Sequence, residues 1–245
     1  MKSLIQLLLA LATLLLLPAL TDAQDESETQ LPRVLILGDS IYTQHARGVG
    51  AALEGRLEVS IVSVPRPVVC NSTTMLEQID ALLGEEKWDV IHFNAGLGDL
   101  VHKVPDIESF RVMPIYSGGV VATAPGQYEA NLRQLVSRLK ETEAVLIWAS
   151  TTPIRASTSQ VFRMESETEY NAIAARVMAE EGIQINDMYT YARDRMDMGR
   201  PAGHGADPFH YRDLPLEPPM VFSVLTALGL PADPVPPPET GEDQG

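Results

Sequence analysis

The sequence predicts an α/β domain: a doubly wound parallel sheet of about five strands with helices on both faces. Three observations predict it. Short strand-like runs recur at Val34–Leu37, Leu57–Val62, Asp89–Phe93, Ala144–Ala149 and Ile183–Asn186, and the first, apolar at every position, suits a strand buried on both faces. Helical patterns separate them. The connections are mostly short, and strands alternating with helices imply a parallel sheet with crossover helices.

The helices follow from spacing. Leu132, Leu135, Val136 and Leu139 repeat at i, i+3, i+4 and i+7, and Tyr170, Ile173, Ala174, Val177 and Met178 form a second stripe. Gly182 stands where a helix ends with a left-handed residue. Weaker patterns predict helices over Gln44–Leu53 and Thr74–Leu83, and a last one after Pro219. Residues 101–124 break the rhythm as a long segment containing Gly and Pro. Segments of this kind tend to be substrate walls or lids, with His102 and Tyr116 as candidate cleft residues.

Composition narrows the class. Lys2 precedes an apolar run from Leu4 to Leu17, then Pro18 and the small residues before Ala23, the pattern of a secretory signal peptide over residues 1–23. Residues 24–31 read as an acidic linker, 32–230 as the folded domain and 231–245 as a disordered tail rich in Pro and acidic residues. The protein is thus expected to be exported, periplasmic or extracellular, with no membrane association once the signal is cleaved. A net charge of -15 argues against nucleic acid as a partner. The single cysteine, Cys70, excludes an intrachain disulfide, so the fold must rest on its core.

Chemistry concentrates at two places. The first strand runs straight into Gly38-Asp39-Ser40, and in open α/β sheets ligands bind beyond the carboxyl ends of the strands. Ser40 is therefore the candidate nucleophile. Near the other end stands Asp207-Pro-Phe-His210. A serine nucleophile needs a base within hydrogen-bond reach and a carboxylate to orient that base, and His210 and Asp207 supply those residue types. His204, Asp207 and His210 could also be read as metal ligands, but the loop spacing is unspecific and no second carboxylate cluster accompanies it. No metal and no cofactor is expected. His92, inside an apolar strand, reads as a core histidine.

Together with Trp88-Asp-Val-Ile-His-Phe-Asn-Ala-Gly-Leu-Gly-Asp-Leu100, Gln127-Tyr-Glu-Ala-Asn-Leu-Arg133, Leu146-Ile-Trp-Ala-Ser-Thr-Thr-Pro153 and Tyr170-Asn171, these blocks resemble the SGNH, or GDSL, hydrolases, over roughly Leu31 to Leu230. The Gly-x-Ser-x-Gly elbow of α/β-hydrolases is missing, because Tyr42 stands where its second glycine belongs. The resemblance implies a flavodoxin-like three-layer domain that hydrolyses carboxylic esters, O-acetyl or short acyl groups on a small molecule or a carbohydrate. It makes Ser40 the nucleophile, His210 the base and Asp207 its orienting acid. Ser40, Asn71 and Gly98 fall on the oxyanion positions, and Asp39 and Asn94 on positions that brace the site.

Two of these depart from the pattern. Asn71 replaces a glycine, and asparagine tolerates positive φ better than most residues. Gly98 replaces an asparagine whose side chain donates to the oxyanion, and losing such a donor costs about 10²–10³ in rate. An amide on Asn71 could compensate. Gly98 also motivates a rival reading, a secreted binding protein of weak or absent activity on an SGNH scaffold.

Overall fold

The computed structural model describes residues 30–107, 110–155, 158–196, 198 and 214–235, and of Ser40 the backbone alone. The chain divides after Gln30, and every element below belongs to the unit Leu31–Gly245.

Five strands form a sheet: β1 (Arg33–Leu37), β2 (Glu58–Val62), β3 (Val90–Phe93), β6 (Val145–Ala149) and β7 (Gln184–Asn186). Their order is β2-β1-β3-β6-β7, and every pair is parallel. The chain winds outward from β1 in one direction and then in the other, so a switch point lies between β1 and β3, where such sheets open a crevice. Register aligns the exits: Leu37 pairs with Val62 and with Phe93, and Phe93 with Trp148. Gly38, Ser63, Asn94 and Ser150 therefore leave the sheet near one edge.

The apolar run of β1 divides by period two. Leu35 and Leu37 enter one core, Val34 and Ile36 the other, and all four have no exposure. The first core is covered by α2 (Ser72–Glu77), α3 (Ile79–Leu83), α5 (Pro125–Lys140) and α6 (Ser166–Glu180). The expected stripe of α5, Leu132, Leu135, Val136 and Leu139, is wholly buried there. The second core lies under α1 (Ser40–Ala52), α7 (Met188–Arg193) and α8 (Glu217–Ala227). Gly182 has φ +69° just beyond α6, the left-handed residue that ends a helix.

Three local expectations change. Helix α1 begins at Ser40 rather than Gln44, because the Asp39 carboxylate caps it. The expected helix over Thr74–Leu83 is two, broken at Gln78. The segment after β3 is organised. A short helix α4 (Leu97–Leu100) leads into an antiparallel hairpin of β4 (His102–Lys103) and β5 (Val120–Val121). His102 N and Ile115 N donate to the carbonyls of Val161 and Gln160 at 2.8 Å each, tying the excursion to the chain after β6.

Candidate active site

Asp39 leaves β1 in an extended conformation and accepts from Ile41 N at 2.8 Å and Tyr42 N at 2.9 Å. Those are orphan amides of the first helical turn. Burial raises the Asp39 carboxyl above its ordinary pKa, and the two amides oppose that. The cap sets Ser40 as the first helical residue at the carboxyl end of a central strand, at the positive end of the helix dipole.

Beside it lies the loop that follows β2. Asn71 is the N-cap of α2: its Oδ1 accepts from Thr74 N at 2.9 Å, and its own N–H donates to Thr74 Oγ1 at 3.0 Å. Its φ is -124°, so no positive φ is required where the resemblance places a glycine. The backbone N–H is engaged by Thr74, which leaves Nδ2 as the donor Asn71 could offer a substrate.

The Gly96–Asp99 turn closes on this loop. A Cβ on Gly98 would fall 2.0 Å from the Cys70 carbonyl oxygen and 3.2 Å from Asn71 N. The Cys70–Asn71 peptide thus occupies the space that a residue-98 side chain would need. A Cβ on Gly96 would meet Thr151 Oγ1 at 2.0 Å, which packs the turn against the end of β6. Asp99 fastens the two loops. It is wholly buried, and both its oxygens lie 3.0 Å from Ser72 N, while Ser72 Oγ donates to Oδ1 at 2.6 Å. Asn131 of α5 donates to Ser72 Oγ at 2.9 Å and Thr73 Oγ1 at 2.8 Å. Burial pushes the Asp99 carboxyl up to about 6, with Ser72 pulling it back. Cys70 is a buried free thiol that burial pushes up to about 12. It therefore packs as a protonated small side chain.

On the other side of β1, Asn94 Nδ2 donates to the Ala149 carbonyl at 2.9 Å and to Thr151 Oγ1 at 3.4 Å. The Asn171 side chain clasps the Thr151 backbone, accepting from its N and donating to its O, both at 2.8 Å. Sequence reasoning noted Tyr170-Asn171 but not this clasp, which joins residues 20 apart. Beneath lies His92, without exposure. Asn186 Nδ2 faces the Pro219 carbonyl as well as His92 Nε2. The amide therefore donates to Nε2, and His92 carries its proton at Nδ1, hydrogen-bonded to the Tyr42 hydroxyl. Burial lowers this imidazole to about 3, so it is neutral.

Two cavities meet at Asp39, Ile41 and Leu97. One, of about 390 Å³, lies at the β2 side, and the other, of about 20 Å³, lies at the ends of β3 and β6. Neither Asn71, His102 nor Tyr116 lines them. Asp207, His210 and His204 lie outside the described residues, as does the Ser40 side chain.

No family model and no curated protein matches the chain. Solved structures do. An alpha/beta hydrolase enzyme from the metagenome of Lake Arreo, Spain, is 18% identical with a TM-score of 0.57, over 82% of this chain and 96% of that one. An acetylxylan esterase from Geobacillus stearothermophilus is 15% identical with a TM-score of 0.55, over 82% and 96%. A GDSL-like lipase from Parabacteroides merdae is 17% identical with a TM-score of 0.53, over 82% and 97%. At these identities the likeness concerns the fold: the chain carries the SGNH/GDSL hydrolase fold.

Proposed function

We propose that the protein hydrolyses carboxylic esters through an acyl-enzyme on Ser40. The observation that carries this reading is the placement of Ser40 as the first residue of a capped, 13-residue helix, between two cavities at the switch point of the sheet. His210 takes the Ser40 hydroxyl proton as Oγ bonds to the acyl carbon, and the carbonyl electron pair moves onto its oxygen. Collapse of that oxyanion expels the alcohol, which takes the proton from His210. Water repeats the sequence, releasing the carboxylic acid and restoring Ser40. Asp207 holds the tautomer of His210.

The oxyanion is held by the backbone N–H groups of Ser40 and Gly98, with Nδ2 of Asn71 in place of the side chain that Gly98 lacks. Asp39 and Asn94 brace the strand ends from which these groups project. Substrates are small-molecule or carbohydrate esters, with the O-acetyl or short acyl group expected of the resemblance as the smallest case. The fold of an acetylxylan esterase and of a GDSL-like lipase supports ester chemistry. The signal-peptide pattern of the sequence over residues 1–23 supports an exported enzyme, periplasmic or extracellular.

The rival, a binding protein whose catalysis has lapsed, draws on Gly98. Hydrolysis of p-nitrophenyl acetate by the wild type and by Ser40→Ala separates the two. Turnover lost in the variant supports the enzyme, and equal rates overturn it.

A further inference from the structure

Residues 127–133 of α5 carry side chains that reach both loops of the oxyanion side. Tyr128 and Asn131 lie three apart, hence on one face of the helix, and both are buried. The Tyr128 hydroxyl donates to the Ala95 carbonyl at 2.7 Å, at the root of the Gly96–Asp99 turn. Just ahead of α5, Thr123 N donates to the Asp99 carbonyl at 3.1 Å. Asn131 Nδ2 donates to Ser72 Oγ at 2.9 Å and to Thr73 Oγ1 at 2.8 Å, in the first turn of α2. Asn71 caps that turn.

The direction of each bond in this network is fixed. Ser72 Oγ has one proton, and it goes to Asp99 Oδ1 at 2.6 Å. Toward Asn131 the hydroxyl must therefore accept, so the Asn131 amide presents its N–H groups there. Its Oδ1 is left for Gln127, whose Nε2 donates to it at 2.7 Å. Donors thus run one way, from the exposed Gln127 through Asn131 and Ser72 to the buried Asp99 carboxylate. The loops that carry Asn71 and Gly98 are in this way referred to a single 16-residue helix. That helix is itself anchored in the core by Leu132, Leu135, Val136 and Leu139.

We propose that Tyr128 and Asn131, with Gln127 behind Asn131, are positioning residues through which α5 sets the spacing of Asn71 and Gly98 and so shapes the oxyanion site. This rests on the acyl-enzyme reading above. Asn131 acts through Ser72 on Asn71, and Tyr128 acts through Ala95 on the turn that holds Gly98. Both work at one remove from the reacting atoms. Their leverage comes from geometry, since a group misplaced by about 1 Å can cost about 10²-fold in rate.

The test uses the full-length protein and p-nitrophenyl acetate, with Tyr128→Phe, Asn131→Ala and Gln127→Ala each made in the wild type and in Asn71→Ser. In the wild type, Tyr128→Phe and Asn131→Ala are expected to lower kcat by about tenfold or more, with KM held within about twofold. Gln127→Ala is expected to act in the same direction and less. In Asn71→Ser, Asn131→Ala and Gln127→Ala should cost less than about twofold, because the amide they position is gone, while Tyr128→Phe keeps its cost. Hydrogen exchange of peptides spanning residues 70–74 and 95–99 reads the loops without turnover, and it should quicken in the variants. Tyr128→Phe keeps the ring and Gln127 is exposed, so the test stands should Asn131→Ala fail to fold. Wild-type kcat and exchange in Tyr128→Phe and Gln127→Ala overturn the proposal. So does a loss from Asn131→Ala or Gln127→Ala that is the same in both backgrounds, the mark of a merely structural network. Quickened exchange in a protein whose turnover matches that of Ser40→Ala supports the clamp on the two loops and overturns the acyl-enzyme reading.

Discussion

The alpha carbon of Gly98 sits so close to the Cys70 carbonyl that a Cβ there would lie 2.0 Å from its oxygen. The neighbour is backbone, held in turn by the Asp99–Ser72 bonds, so it cannot swing aside as a side-chain tip would. Gly98 is therefore required by the approach of the two loops. Replacing it with asparagine, the residue of the family pattern, does not restore a donor. Gly98→Asn is expected to lose about 1–3 kcal/mol in urea unfolding and to turn over esters more slowly than wild type. A variant as stable as wild type and faster would contradict the crowding.

Asn71 carries two tasks that one substitution can part. Serine caps helices about as well as asparagine, but has no amide. Asn71→Ser is expected to unfold within about 0.5 kcal/mol of wild type while kcat falls about 10²–10³-fold. Unchanged turnover would confine Asn71 to capping α2.

Two buried groups give opposite responses to acid. Unfolded Asp99 releases its proton near 3.8 and the folded group near 6. Its contribution to stability is complete below the lower value and is lost as pH rises through the upper. His92 ordinarily titrates near 6.5 but near 3 in the fold. Its contribution is complete above 6.5 and is lost as pH falls toward 3. Melting temperatures taken at about pH 7 and about pH 5 should therefore drop more for Asp99→Asn than for wild type, and less for His92→Gln. Parallel slopes in all three would contradict both assignments.

The central strands were legible because they are apolar runs enclosed by both cores: β1, with Val34 to Leu37 wholly enclosed, is the clearest case, whereas the edge strands β2 and β7 are half-buried and show more weakly. The core stripes of α5 and α6 were legible for the same reason. What escaped were features made by few residues or by distant ones. β4 and β5 have two residues each, too short for a period. The start of α2 at Ser72 rather than Thr74 follows from capping by Asn71, whose partner at the third position is Thr74 rather than the usual Glu or Gln. The approach of Gly98 to Cys70 joins two loops, and a sequence shows the missing side chain but not the peptide that fills its place. The larger cavity likewise needs Val64, Val101 and Phe162 brought together from three connections.

The claim at the centre is that Ser40 forms a covalent intermediate, and labelling tests it most directly. The wild type and Ser40→Ala would each be treated with an alkyl fluorophosphonate and analysed by intact mass and peptide mapping. One adduct per wild-type chain is expected, mapped to Ser40 and absent from the variant. An adduct on another residue, or ester hydrolysis that persists unlabelled in Ser40→Ala, would contradict it.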